Sequence, residues 1–359
     1  MNQLNMTTYK QSGVNIAKGD ECSKLAYGAA LETFAGRKNM IGGSVKLEGG
    51  FSGILDFGDF YLVQNCDGVG SKIAVAEAVS KFDTLGYDLV AMVADDAVCL
   101  GAETVSITNT IDTEMVDANI VKALMKGLKN ACLEQKIVIP GGEIAEMPDK
   151  VKGSIWNADA VGIVEKRKLI TGKTVEAGDQ IIALRSRGFR SNGFSLARYV
   201  LKQQFGDGWV EKQFAKRVSW GDALLEPSLI YSGALLEILG RYGEKRLAEI
   251  KALAHVTGGG IPGNIVRVLN GYGADLDMLW EPNEAMLRLQ EYGKVSDGEA
   301  YQVWNMGTGM LIISNEFKKI APILKKNGVE AKIVGKVSEK PGIRLLSGGG
   351  FKKGKVMKF

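Results

Sequence analysis

The chain has 359 residues, 45% of them hydrophobic and 24% charged, which is enough for two domains that each bury a core. Forty-five Lys and Arg against 41 Asp and Glu leave a formal charge of +4, too mild and too evenly spread for a nucleic-acid or anionic-membrane partner. The four cysteines form no Cys-x-x-Cys pair and there is one histidine, so a structural zinc site, a dithiol centre and a histidine-rich metal site are disfavoured. Catalysis must rest mainly on carboxylates, lysines, backbone amides and metal.

Met1 to Asn5 lacks the apolar core of a signal peptide, and no apolar run reaches ~18 residues, so the reading is a cytoplasmic protein with free thiols. Ile16 to Phe34 has the spacing of an amphipathic helix. A glycine-rich segment from Ile41 to Gly53 follows, read either as a flexible linker or as a lid over a ligand's phosphates. The apolar run Phe60 to Val63 predicts a buried strand that ends at Asp67-Gly68-Val69-Gly70-Ser71-Lys72. There an acid can hold a divalent cation, glycines let amides approach an anion, and Lys72 can meet phosphate. A capped turn with a solvated lysine fits the hexapeptide alone equally well.

A helix is expected from Ser71 to Lys81, then a second one capped by Thr84, with Leu85, Leu89, Met92, Val93, Ala97 and Leu100 at helical spacing. On it Asp88 and Asp95 share a face, two turns apart, and Asp96 lies ~100° round from Asp95. Adjacent acids in an apolar helix are costly without a partner. Lys and Arg are absent from Leu85 to Glu103, so a metal is the favoured partner over a helix edge that reaches water.

Next come a strand Thr104 to Ile111, a helix Glu114 to Gln135, and a buried strand Lys136 to Pro140 running into Gly141-Gly142-Glu143, with Glu143 at the tip. Another strand spans Ala158 to Glu165, and Thr171 to Gly178 is turn-rich, which divides the chain into domains 1–170 and 171–359. The second block has a strand Ile181 to Leu184 and a helix from Phe194 capped by Ser191 or Asn192. Helices at about Ala223–Leu239 and Glu244–Leu253 follow. Thr257 to Gly260 then heads a helix with Pro262 in its first turn, a backbone anion site, running to Leu269. A strand Met310 to Ile313 and further strand–helix–strand elements close the chain to about Leu346. No P-loop occurs and no strict βαβ rhythm, so the class is α+β, two mixed α/β domains.

Taken in order, several of these motifs resemble the phosphoribosylformylglycinamidine cyclo-ligase family over nearly the whole length. They are Tyr9-Lys10…Ser12-Gly13-Val14, the glycine-rich segment before Phe51, Asp67 to Lys72, Asp88 to Met92 and Gly101-Ala102-Glu103. Gly141-Gly142-Glu143…Ala145 to Pro148, Ser191-Asn192-Gly193, His255…Thr257 to Gly260 and Gly307…Gly309-Met310 continue the series. The resemblance implies ATP- and Mg²⁺-dependent ring closure of formylglycinamidine ribonucleotide to aminoimidazole ribonucleotide. The formyl amide oxygen would be phosphorylated on the way, with release of ADP and phosphate. It also implies a homodimer with N-terminal strands forming a barrel across the interface. On this resemblance Asp67, Asp95, Asp96 and Glu143 are metal ligands, and Lys72, Asp96 and His255 are catalytic, His255 as a proton acceptor. ATP falls to Gly49, Gly50, Phe51, Asp67, Gly68, Gly70, Ser71, Lys72 and Glu143, and the substrate to Arg190, Ser191, Asn192, Gly193, Thr257, Gly258, Gly259 and Gly260.

The chain departs from the family pattern at Arg190 (usually His), Asp95-Asp96 (usually Asn-Asp), Thr104 (usually Pro) and Thr108-Asn109-Thr110 (usually including Asp-Tyr). Arg190 and its neighbours are therefore expected to set substrate choice. The alternatives are a sister enzyme of the same fold acting on another acceptor, such as a thiamine-monophosphate kinase, or a non-catalytic nucleotide-binding protein.

Overall fold

The structure is a computed structural model that describes residues 6–47 and 50–359. Among the described residues, the first half builds a six-stranded sheet. Its strands are β1 (Gly43–Ser44), β2 (Gly53–Asp56), β3 (Phe60–Gly68), β4 (Glu103–Thr113), β5 (Gly142–Glu146) and β6 (Ser154–Glu165), in the order β1-β2-β3-β6-β4-β5. Only β4 and β5 run parallel. β6 shows why the sheet is two-faced: Trp156, Ala158, Ala160, Gly162 and Val164 alternate inward and are buried, while the residues between them are not. The inner face packs on α3 (Leu85–Cys99), which α4 (Ala118–Gln135) covers in turn. The helices α1 (Ile16–Thr33) and α2 (Ile73–Val79) precede them, and α1 has no buried residue.

The second half builds a seven-stranded sheet and a two-stranded ribbon. The strands are β7 (Gln180–Arg185), the ribbon β8 (Gln213–Ala215) and β9 (Val218–Ser219), then β10 (Ala252–His255), β11 (Gly273–Leu276), β12 (Thr308–Ile313), β13 (Ala331–Ser338), β14 (Gly342–Leu346) and β15 (Val356–Lys358). The large sheet runs β10-β12-β7-β13-β11-β14-β15, with β12 buried at every position. Helices α5 (Phe194–Phe205), α6 (Trp220–Leu224), α7 (Ser232–Leu239), α8 (Gly260–Ile265), α9 (Glu284–Gly293), α10 (Asp297–Val303) and α11 (Phe317–Lys326) accompany it. The result is two domains of mixed α/β content. One apolar cluster crosses between them, joining Leu89 and Trp156 to Phe194, Ile261 and Trp304. α3 sits at the junction, touching β3 and β6 on one side and β10 and α7 on the other.

Several expected elements differ. Lys136 to Pro140 is not a buried strand: Val138 makes one isolated bridge to Ser106 and is 62% exposed, and the strand begins at Gly142. The helix expected from Ala223 to Leu239 is two, because Pro227 cannot donate a backbone bond and the segment 226–231 serves α3 instead. No helix spans 244–253, and Ala252 opens the strand β10. The stretch Ser71 to Lys81 is a 3₁₀ turn, Gly70–Lys72, followed by α2, and α8 passes into a 3₁₀ turn at Val266–Val268. Gly193, not a side chain, caps α5. All four cysteines are free, and no helix of the described residues is long and apolar enough to cross a membrane.

Candidate active site

α3 carries its three acids through the middle of the molecule. Asp88 and Asp95 share a face, as their spacing dictates, and that face meets the segment between α6 and α7. The Oδ1 of Asp88 accepts from Lys72 Nζ at 2.7 Å, from the Ser228 amide at 3.0 Å and from Ser228 Oγ at 2.5 Å. Lys72 also donates to the Glu226 carbonyl at 2.8 Å and lies over the Phe194 ring. Both side chains are fully buried. Burial lowers the Lys72 pKa and raises that of Asp88, and their mutual attraction opposes both shifts. The expectation that Lys72 meets a phosphate is thereby corrected: its charge is spent inside the core.

Asp95 is corrected in the same way. Its Oδ2 lies 2.7 Å from Arg190 Nη2, and its Oδ1 accepts from the amides of Tyr231 and Ser232 at 2.9 and 2.8 Å, where α7 begins. A helix N-terminus and a guanidinium satisfy this carboxylate without metal. Arg190, expected at the substrate, is 1% exposed. It holds a left-handed backbone (φ 59°), stacks on Tyr231 and donates to the Leu229 carbonyl at 2.8 Å. The same Nη2 lies 2.8 Å from His255 Nε2. The other ring nitrogen of His255, Nδ1, is 2.7 Å from Asp96 Oδ1. The His255 ring is buried, and burial, then the Arg190 charge, push its pKa down to about 3. With neither nitrogen free, it is not placed to take a proton from a substrate.

Asp67 and Asp96 are what remain open. Asp67 points inward from the end of β3, on the face that carries Val63 and Asn65, and Asp96 stands at the far end of α3. Burial raises the Asp67 pKa to about 6, opposed by the Gly68 amide that donates to its Oδ1, with the Asp96 charge adding to the rise. Burial raises Asp96 to about 7, opposed by Arg267 and Arg190. Two partly buried carboxylates whose charges repel each other suit a hard cation. Mg²⁺ characteristically takes one or two carboxylates and fills its octahedron with phosphate oxygens and water. No three acidic, histidine or cysteine groups converge among the described residues. Glu143 stands apart, exposed on the edge strand β5. Its register partner is Thr110, then Asn157, then Gly68, so three strand spacings, about 14 Å, separate it from the Asp67 turn.

Three glycine-bearing turns gather beside this pair. A Cβ on Gly70 would lie 3.2 Å from the Ser191 carbonyl, and Ser71 Oγ lies 3.2 Å from Ser195 Oγ. A Cβ on Gly258 would lie 3.8 Å from Asn192 Oδ1. Gly260 (φ 61°) must be glycine, since a Cβ there would sit 1.9 Å from the Tyr301 carbonyl oxygen. The Asn264 amide braces this loop by donating to the carbonyls of Thr257, Gly258 and Gly260. Ser191 Oγ and Asn192 Nδ2 are buried without a hydrogen-bond partner, two polar groups left for a ligand.

One residue escaped the sequence reading. Arg267, in the turn after α8, donates to the Gly50 carbonyl at 2.6 Å, lies 3.8 Å from the Phe51 ring centroid and acts on Asp96 through its charge. It thus ties the glycine-rich segment to the carboxylates, and nothing in its local sequence announces this. Gly49 lies outside the described residues.

The raised carboxylates give a pH prediction. Unfolded Asp titrates near pH 3.9, so between that value and about 6 or 7 the folded chain holds protons the unfolded chain has released. Stability present at acid pH is therefore lost as pH rises through this window. Without metal, the protein is expected to melt lower at pH 8 than at pH 5, and Mg²⁺ to narrow the gap. Differential scanning calorimetry of the protein and an Asp67→Asn/Asp96→Asn variant checks this. An unchanged pH slope in the variant contradicts it.

Two family models match the chain: the N-terminal domain of AIR synthase related protein over residues 49–164, and the C-terminal domain of AIR synthase related protein over residues 176–347. A phosphoribosylformylglycinamidine cyclo-ligase of Thermococcus kodakarensis is 38% identical over 341 residues, covering 95% of this chain and 98% of its own. One from Bacillus mycoides is 34% identical over 352 residues, covering 95% and 98%. Among solved structures, AaThiL complexed with AMPPCP and TMP is similar in fold, with a TM-score of 0.57 at 15% identity over 88% of this chain and 92% of that one.

Proposed function

Because this chain belongs to the phosphoribosylformylglycinamidine cyclo-ligase family, we propose that it closes the imidazole ring of aminoimidazole ribonucleotide from formylglycinamidine ribonucleotide, at the expense of ATP. The observation that carries the reading to this chain's own residues is the Asp67–Asp96 pair, one acid from β3 and one from α3, close enough for the Asp96 charge to act on Asp67, with three glycine turns beside it.

An amide oxygen is a poor leaving group until it is phosphorylated, so the site must hold the γ-phosphate of ATP in line with the formyl oxygen and neutralise charge as the phosphoryl group moves. Asp67 and Asp96 would hold Mg²⁺, which supplies charge neutralisation at the phosphates. Gly68, Gly70 and Ser71 lie on the phosphate side of this pair, and Gly50 and Phe51, tied down by Arg267, cover it. Ser191, Asn192 and Gly193 with Thr257 to Gly260 receive the ribonucleotide, the unpartnered Ser191 Oγ and Asn192 Nδ2 pairing with its polar groups. The neighbouring amidine nitrogen then attacks the activated formyl carbon, and as its proton is lost the oxygen leaves as phosphate and the ring is closed.

The protein works as a homodimer in this reading. The outer face of the first sheet leaves Ile155 exposed, Val138 is uncovered farther along β4, opposite Ser106, and α1 projects with Leu25 and Tyr27 uncovered. A second copy covering this face forms the inter-subunit barrel and brings its own Glu143 toward the nucleotide, which accounts for the distance of Glu143 from Asp67 within one chain. The setting is the cytoplasm. The test is to incubate the protein with formylglycinamidine ribonucleotide, ATP and Mg²⁺ and to look for aminoimidazole ribonucleotide. ATP turnover only with another acceptor would move the activity to a sister enzyme.

A further inference from the structure

A line of buried side chains runs from the core to the Asp67–Asp96 pair, and the reaction as described leaves it without a task. It starts at Asp95, passes through Arg190 and His255, and ends on Asp96. Each contact is between 2.7 and 2.8 Å. Its direction is fixed by chemistry. A guanidinium has donors and no acceptor, so where Arg190 Nη2 meets His255 Nε2, the ring nitrogen must accept. A neutral imidazole carries one proton, which then sits on Nδ1 and is donated to Asp96 Oδ1.

We propose that Arg190 and His255 are positioning residues, which lock the Asp96 carboxylate by its Oδ1 so that Oδ2 is turned to the divalent cation. The inference rests on the reading of Asp67 and Asp96 as the metal pair. Among the described residues no protein donor reaches Asp96 Oδ2. The anchor of the line is rigid: Arg190 is gripped by Asp95, the Leu229 carbonyl and the Tyr231 ring, and Asp95 in turn by the two amides at the head of α7. Its left-handed backbone is a conformation a bulky residue holds only when its surroundings over-determine it. Asp95 and Arg190 are also two of the positions where this chain departs from the family pattern, and here they are each other's partner. The two departures form one unit. Groups that orient a metal ligand in this way are worth roughly 10- to 100-fold in metal affinity.

The single histidine makes the test direct. In protein labelled with ¹⁵N-histidine, the two ring nitrogens of His255 are the only histidine signals, and the expected spectrum has a protonated Nδ1 and a bare Nε2 at neutral pH. A proton on Nε2, or an imidazolium, overturns the proposal, and this arm needs no variant. The second arm is Mn²⁺ binding in the presence of ATP, read by electron paramagnetic resonance. In the double variant Asp95→Asn/Arg190→Met, which leaves no unpaired buried charge from the pair, affinity is expected to fall roughly 10-fold with the fold intact. His255→Asn, whose amide can still donate toward Asp96, is expected to lose less affinity than His255→Leu. Wild-type affinity in the double variant and in His255→Leu contradicts the proposal. If Asp67→Asn/Asp96→Asn itself binds Mn²⁺ normally, it is the metal reading that fails, while the histidine spectrum still reports the hydrogen bonds from Arg190 through His255 to Asp96.

Discussion

Asp96→Asn is expected to cost at least about 10²–10³-fold in turnover while the fold survives. The loss follows from taking a charged oxygen from the cation beside the transferring phosphate. The fold survives because this carboxylate, raised to about 7 by burial, is a burden on the metal-free protein. Removing its charge leaves the Nδ1 proton of His255 an oxygen to bind, since Asn keeps Oδ1. Steady-state kinetics together with thermal unfolding in the absence of Mg²⁺ separates the two effects. An active Asp96→Asn enzyme would remove Asp96 from the site.

Lys72→Met is expected to do the opposite, losing about 3–5 kcal/mol of stability by leaving Asp88 buried and uncompensated. The double variant Lys72→Met/Asp88→Leu is expected to recover much of this, since it removes both charges together and leaves only the Ser228 and Glu226 groups to find new partners. Urea denaturation of the two variants measures the difference. ATP affinity of the folded double variant is expected to stay close to that of the parent. A stable Lys72→Met protein that has lost ATP binding would instead place the lysine on the phosphates.

The contrast between these two substitutions marks what the sequence could and could not say. The pattern of an apolar strand stopping at Asp67 between glycines was readable, because strand period and turn chemistry are local. The shared face of Asp88 and Asp95 was readable too, because 3.6 residues per turn fixes it. What occupies that face was not. The absence of Lys and Arg from residues 85–103 spoke only of neighbours along the chain, whereas Asp88 is paired 16 residues away and Asp95 is paired 95 residues away. The local sequence points to a metal at Asp95 where a guanidinium stands.

Other misreadings have equally local causes. Lys136 to Pro140 has the composition of a buried strand, and a short apolar run cannot be distinguished from one by periodicity. That error put Glu143 at a strand tip beside Asp67, whereas the register of four strands carries it to the sheet edge. Pro227 marked the break between α6 and α7 and was there to be read. Arg267 carried no such sign, because its role comes only from the meeting of the glycine-rich segment with α8.

Activation of an amide oxygen by ATP at the Asp67–Asp96 pair is tested with formylglycinamidine ribonucleotide carrying ¹⁸O in its formyl group. Each turnover is expected to yield aminoimidazole ribonucleotide, with the label in inorganic phosphate. Product formed with the label in water, or ATP hydrolysis that leaves the label in unreacted substrate, would contradict it.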